Sequence, residues 1–316
     1  MNSVKKVPLP LSGVMLGTLA LGNLLQMPLT AGLQPAGNTI RFICGLLAAV
    51  MLVLLLLKLI MYPKMFAEDM KNPIMAGVAA TFPMALMLFS VYWKPVIKGA
   101  SKVIWWIAII LQIVLIIYFT AKFIVKLDLK KVFAAYFIIY AGGTVSALTG
   151  PAYENLKVGT IFFWFGLITT AILLVIVTAR YIKLPDVPDP AKPIFCIYAA
   201  PVALLTAGYV DAVMPKNLAF LKVLYIISLV LYVIALIKAL GCLKLPFFPS
   251  YAAFTFPFVI SAIAAKKTMA CSMNMGAPWP WLKPVVIIET VIAVIFVVYA
   301  IIRFAMHIFG PAKKEA

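Results

Sequence analysis

The chain has 316 residues, of which 65% are hydrophobic and only 11% are charged. Soluble domains are about half apolar and about a quarter charged, so this composition excludes an ordinary soluble protein and predicts one transmembrane domain over residues 1–316. The net charge of +18 does not indicate nucleic acid binding, because the basic residues are scattered between apolar runs instead of forming a stripe.

The apolar runs have the length of membrane-spanning helices. A helix needs about 20 apolar residues to cross the hydrocarbon core of a bilayer. Ten runs of this kind are predicted, at residues 9–27, 39–61, 73–92, 102–124, 132–149, 158–181, 192–213, 218–240, 249–266 and 281–307.

Two kinds of span alternate along the chain. Even spans are unbroken aliphatic runs, such as LLAAVMLVLLLLKLIM from Leu46, whereas odd spans carry glycine or proline in mid-membrane. A proline inside a helix removes a hydrogen bond, which a bilayer tolerates only where protein or water covers the freed carbonyl. We therefore expect the odd spans inside, around a cavity, and the even spans outside, against lipid.

The odd spans also repeat along the sequence. The third, seventh and ninth each begin near a proline and carry another about eight to ten residues later, and the odd spans start at intervals of about 60 residues. A repeat of two helices returns the chain to its starting side, so the repeats are parallel about an axis along the membrane normal. The pattern predicts five parallel helical hairpins with pseudo-five-fold symmetry, in which the odd helices line a central pore.

The side of the membrane follows from the basic residues. Most of the 27 lysines and arginines fall on the side of the termini, and the tryptophans fall at the opposite ends of the spans. Both features are typical of a multi-pass protein of the cell membrane with cytoplasmic termini.

The middles of the odd spans contain small hydroxyl residues but no charge. A cation channel would ordinarily use rings of Asp or Glu, whereas an excess of basic residues at both mouths attracts anions. The alternative is that the basic loops only set topology. The predicted pore-lining residues are Gly13, Gly17, Thr81, Pro83, Gly142, Gly143, Thr144, Pro201, Thr255 and Pro257, and no metal or cofactor site is predicted.

The string FTFPF in the ninth span is the sharpest local feature. Phe254 and Phe258 share one helical face, while Phe256 points the other way and directly precedes Pro257. An apolar ring projecting into a narrow pore can block it by excluding water. The alternative is that all three rings pack against neighbouring helices.

Two acidic residues lie in or beside apolar runs. A charge in mid-membrane costs about 2.5–3.5 kcal/mol on insertion scales, so Glu289 of the tenth span requires either a partner, such as Lys222 or Lys283, or a role in proton coupling. Asp211 lies near a membrane edge, where we expect a solvated cap. The odd spans hold no histidine and no carboxylate pair, so an enzyme is not predicted.

The N-terminal PLPLSGVMLGTLALGNL (residues 8–24), the ten-span plan and the Phe-Pro step of the ninth span resemble the tellurite-resistance/C4-dicarboxylate transporter family. That family includes plant guard-cell slow anion channels and fungal malate transporters. The resemblance implies a homotrimer of independent pores, each occluded by a ninth-helix phenylalanine. By match to the Phe-Pro step this residue is Phe256, with Phe254 as the alternative.

The expected function is therefore passive passage of small inorganic or organic anions. The alternatives are a proton-coupled carrier of C4-dicarboxylates or malate, for which Glu289 is the candidate coupling residue, and a tellurite-resistance exporter.

Overall fold

A computed structural model describes residues 2–27 and 34–310. Within these ranges the chain consists of helices joined by short loops, with no β-strand, so the predicted all-α class is confirmed. The remaining residues of the predicted 1–316 domain, namely 1, 28–33 and 311–316, lie outside the described part.

We number the ten longest helical segments in chain order. They are α1 (Leu11–Gln26), α2 (Ala36–Met61), α3 (Pro73–Ile97), α4 (Gly99–Ile124), α5 (136–153), α6 (Leu156–Lys183), α7 (Asp189–Ala212), α8 (Leu218–Cys242), α9 (Pro249–Asn274) and α10 (Leu282–Phe309). In the described ranges, eight of them are long and apolar enough to cross a membrane. The other two are α1, with 16 residues, and α5, which is a succession of short helices. Short helices also precede α1 (Asn2–Lys5) and α3 (Pro63–Asp69).

Burial separates the odd segments from the even ones. In the most apolar window of each helix, 61–89% of the residues of α3, α7 and α9 are buried, against 28–33% for α2, α4, α6, α8 and α10. Every residue of α1 from Leu11 to Gly22 is buried. The even helices therefore carry most of the exposed apolar surface, which suits contact with lipid tails.

The odd segments form a closed ring. Each of α1, α3, α5 and α7 packs against the next odd segment, and α9 packs against α1. Each odd segment also packs against the even helix that follows it in the chain. The protein thus has an inner ring of buried segments covered by an outer layer of apolar helices.

Besides α5, three of the odd segments are interrupted along their length. The helix of α3 breaks at Ala80, α7 changes from a 3-10 helix to an α-helix at Ala200, and α9 breaks at Thr255. The expectation that prolines kink continuous helices is corrected here, because Pro83, Pro201 and Pro257 each lie in the first turn of a new helix. The first-turn amides have no intrahelical partner, so proline is tolerated there.

The first odd segment differs, because α1 is continuous. Its glycines allow close packing instead of interrupting the helix. A Cβ at Gly17 would lie 2.4 Å from the Cβ of Thr255, and one at Gly22 would lie 2.2 Å from the hydroxyl oxygen of Tyr92. Glycine at these two positions lets α1 approach α9 and α3 closely.

Candidate functional site

A cavity of about 510 Å³ lies inside the ring, bounded by the N-terminal halves of all five odd segments. Six of the residues singled out from the sequence are in its wall: Gly13, Thr81, Gly142, Pro201, Phe256 and Pro257. Because the N-terminal half of every odd segment contributes to the wall, all five segments start on the same side of the protein.

The other predicted lining residues are buried but are not in this wall. A Cβ at Gly143 would meet the ring of Phe162 at 2.2 Å, and the hydroxyl of Thr144 donates to the carbonyl of Phe162 at 3.3 Å. These two residues hold α5 against α6. Pro83 is buried in the first turn of its helix, and Gly17 and Thr255 meet at the contact between α1 and α9.

The three phenylalanines of FTFPF have different surroundings. The rings of Phe254 and Phe258 pack against Phe296 of α10, with centroid separations of 5.5 and 4.7 Å. Of the three, Phe256 is the one in the cavity wall, and it is 5% exposed. Phe254 and Phe258 therefore pack against α10, whereas Phe256 is buried in the apolar core at the cavity wall.

The break in α9 fixes the position of Phe256. The hydroxyl of Thr255 lies 2.7 Å from the carbonyl oxygen of Ala252 and 3.0 Å from that of Gly13, so it links α9 to α1. A Cβ at Gly17 would also lie 2.8 Å from the backbone nitrogen of Phe256. The backbone of α1 is thus in direct contact with the turn that starts the second helix of α9.

A second polar link joins α1 to α3 beside the cavity. The hydroxyl oxygens of Ser12 and Thr81 are 2.6 Å apart, and both side chains are buried. Each oxygen also lies 2.8 Å from the backbone carbonyl oxygen three residues earlier, that of Leu9 for Ser12 and that of Val78 for Thr81. These hydroxyls are satisfied without a ligand.

Several helices begin at the cavity. The α-helices Leu11–Gln26, Thr81–Ile97, Ala200–Ala212 and Phe256–Asn274 each have at least one residue of their first turn in the wall. The N-terminus of a helix carries a partial positive charge from its aligned peptide dipoles. Their combined effect makes the deep end of the cavity favourable to negative charge.

The rim of the cavity is also positive. The lysines in its wall are Lys5, Lys6 and Lys58, and the acid is Asp69. The ammonium of Lys58 donates to the carbonyl of Lys5, and that of Lys6 donates to the carbonyl of Gly310 at 3.3 Å. Burial raises the pKa of the Asp69 carboxyl, and the charge of Lys58 partly offsets the effect.

The sequence motifs did not identify these rim residues as part of a cavity, although their charges are visible in the sequence. The same lysines contributed to the excess of positive charge that set the predicted orientation. Their meeting at one cavity depends on the N-terminal residues folding against α2, which spacing along the sequence does not reveal.

Glu289 lies away from the cavity. Its side chain is 2% exposed in the interior of α10, close enough to Tyr225 and Tyr232 of α8 to interact with them electrostatically. The expected pairing with Lys222 or Lys283 is not found in the described part of the chain. The Oε2 atom of Glu289 has no hydrogen-bond partner in the described part of the chain either.

Asp211 also differs from its expected role. It is not a solvated cap, because its carboxylate forms an ion pair with Lys267 of α9. The two side chains are only 18% and 16% exposed. Lys267 lies beyond the predicted end of the ninth span, since the helix continues to Asn274.

These features define a multi-pass membrane protein whose buried helices enclose a largely apolar, electropositive cavity. The family profile described as SLAC1, voltage-dependent anion channel, matches residues 6–305. The chain belongs to this family, which confirms the resemblance drawn from the sequence. Family members are channels or transporters and not enzymes. Among curated proteins, none matches the chain.

Proposed function

We propose that the protein is a passive anion channel of the cell membrane, and that Phe256 occludes its pore. One observation carries the proposal. Phe256 lies in the wall of a cavity bounded by all five odd segments, at the start of the second helix of α9. On this proposal, anions enter the cavity from the side of the termini and pass the ring of Phe256 when the pore opens.

The charges around the cavity support anions as the permeant species. Three lysines and one acid line its wall, and helix N-termini face its deep end. Fields of this sign concentrate anions at an entrance and repel cations. The absence of carboxylate rings in the described wall also disfavours a cation pathway.

The chemistry of Phe256 supports occlusion by exclusion of water. An anion loses solvation when it passes an apolar constriction, so an aromatic ring there is a barrier even where it does not fill the space. Pro201, Pro257, Gly142 and Thr81 share the cavity wall with Phe256, and none of them carries a charge to replace the lost hydration.

A proton-coupled carrier is less well supported. Coupling requires an ionisable group on the path of the substrate. Glu289, the candidate named from the sequence, is not in the cavity wall, so a carrier would have to use Asp69, the acid that is. Concentrative uptake driven by a pH gradient across proteoliposomes would favour the carrier. Flux that only dissipates an anion gradient favours the channel.

The gate is tested by Phe256→Ala in planar bilayers or proteoliposomes. Removing the ring should raise anion conductance by about tenfold or more, which corresponds to a barrier lower by ~1.4 kcal/mol. The matched control is Phe254→Ala, two residues earlier. Its ring packs on α10, so its loss should reduce stability by about 3–5 kcal/mol without a comparable gain in conductance.

Two results would count against the proposal. If folded Phe256→Ala protein conducts no better than the unmodified protein, Phe256 is not the gate. If its current reverses at the potential set by cations, the protein is not an anion channel.

The proposal includes the assembly and the orientation. The family resemblance implies a homotrimer of independent pores, and the apolar outer faces of the even helices provide surface for contacts between protomers as well as with lipid. The basic residues on the side of the termini support a cytoplasmic location for both ends. Native mass spectrometry and labelling of single cysteines from each side of the membrane test these two parts.

A further inference from the structure

An ion pair joins two of the ring segments on the side opposite the cavity. Asp211 lies at the end of α7, Lys267 lies in α9, and the carboxylate and ammonium are in direct contact. The two helices pack along each other. Both side chains are more than four-fifths buried, so the pair is held inside the protein and is not an exposed surface pair.

The register of the two helices places the pair in line with the cavity wall. Asp211 follows Ala200 by 11 residues, and Lys267 follows Phe256 by 11 residues. Both starting residues line the cavity. Eleven residues are about three turns of helix, so each member of the pair lies on the lining face of its helix, about 16 Å beyond the wall.

The neighbouring lysines are already engaged with backbone carbonyls. The ammonium of Lys216 donates to the carbonyls of Tyr209, at 2.8 Å, and Val213. That of Lys266 donates to the carbonyls of Leu24, at 3.2 Å, and Met27 at the end of α1. Lys267 differs from both, because its partner is a side-chain carboxylate that another anion can replace.

We propose that Lys267 is an outer anion-binding residue of the permeation path, and that Asp211 occupies it as an internal anion while the path is closed. The inference rests on the proposed channel function and adds a second control point in series with Phe256. A permeating anion exchanges with the carboxylate of Asp211 at the ammonium of Lys267. Release of the anion lets the ion pair form again.

The first experiment measures anion binding without current. Purified Asp211→Asn protein should be stabilised thermally by thiocyanate or nitrate at concentrations about tenfold lower than the unmodified protein requires, because Lys267 no longer has an internal competitor. The double variant Asp211→Asn with Lys267→Gln removes both charges, leaves neither one buried alone, and should lose this sensitivity.

The second experiment measures conductance in the Phe256→Ala background. Adding Asp211→Asn should lower the outer anion concentration that gives half-maximal current by about tenfold. The matched control is Glu154→Gln, which makes the same change of charge at an exposed acid on the predicted outer side. It should leave this concentration unchanged.

The possible results distinguish a failure of this inference from a failure of the proposed channel function. If Asp211→Asn changes neither the anion dependence of stability nor that of current, the pair only joins two helices and the inference is overturned. The inference also fails if Glu154→Gln reproduces the effect, since surface charge alone would then explain it. An absence of anion current in the Phe256→Ala protein, with the binding result intact, would instead count against the channel function.

Discussion

At the scale of single residues, Asp69 opposes the charge of the cavity rim. Its carboxyl lies in the wall with Lys5, Lys6 and Lys58, and burial raises its pKa. The carboxyl therefore takes up a proton at a pH above the ordinary value for Asp, about 3.9. Protonation removes the negative charge and leaves the three lysines unopposed.

Anion current should consequently rise as the pH on the side of the termini falls through the raised pKa of Asp69. Asp69→Asn should give, at every pH, the current that the unmodified protein reaches only when Asp69 is protonated. The pH dependence should therefore become flatter. Current in inside-out patches or oriented proteoliposomes, at fixed salt, measures the effect.

The control for this dependence is Asp128→Asn, because Asp128 is 43% exposed and pairs with Lys131 outside the cavity. Its removal should leave the pH profile intact. A profile that is unchanged in Asp69→Asn would show that another group titrates.

At the scale of helices, the contact between α1 and α9 governs the position of Phe256. Gly17→Ala would place a Cβ 2.8 Å from the backbone nitrogen of Phe256 and 2.4 Å from the Cβ of Thr255. Backbone cannot retreat as a flexible side chain can, so α9 must shift. We expect a loss of about 1–3 kcal/mol in stability, as for other overpacked sites, together with altered conductance.

Gly241→Ala is the matched control, because nothing lies within 4 Å of a Cβ at that position. Alanine is also the better helix former, so this change should leave stability equal or slightly higher. Melting temperatures of the solubilised proteins and their currents provide the comparison. Equal effects of the two substitutions would mean that the contact between α1 and α9 does not constrain Phe256.

The sequence predicted helices well, because long apolar runs in a bilayer can satisfy their backbone only as helices. It did not predict where the odd segments break. Pro83 and Pro257 indicated a kink at the proline, whereas the breaks fall at Ala80 and Thr255. A proline is equally suited to beginning a helix, and only the packing of the neighbouring segments decides between the two.

The sequence predicted only part of the candidate site, for a related reason. Residue type identified which segments are buried, but the rotation of each segment decides which residues face the cavity. Gly142 and Gly143 are adjacent, yet the first lines the cavity and the second faces Phe162 of α6. The rim lysines and the pair of Asp211 with Lys267 depend on contacts between distant parts of the chain, which local patterns do not contain.

At the scale of the whole molecule, the parallel odd segments create a directional field. Their helices begin at the cavity and end on the opposite side, so the negative ends of their dipoles meet there. Lysines bind the carbonyls at these ends: Lys266 at α1, Lys94 at α5 and Lys216 at α7. Some of the basic residues on the predicted outer side thus neutralise helix ends, so only the rest of the positive excess is free to attract anions.

The proposed constriction at Phe256, which we call the neck, also predicts how the protein ranks anions. Gly142, Pro201 and Pro257, which share the cavity wall with Phe256, have no charged side chain to replace lost hydration, so the barrier for each anion should follow its dehydration cost. Thiocyanate and nitrate should therefore be more permeant than chloride, and chloride more permeant than fluoride or sulfate.

Reversal potentials under bi-ionic conditions measure this ranking. The spread between thiocyanate and fluoride should narrow in Phe256→Ala, because a wider neck lets an anion keep more of its water. The control Phe254→Ala should retain the full spread, since that ring lies against α10. Preferential passage of sulfate or a dicarboxylate would contradict selection by dehydration, because such anions cross an apolar neck only where specific binding groups replace their water.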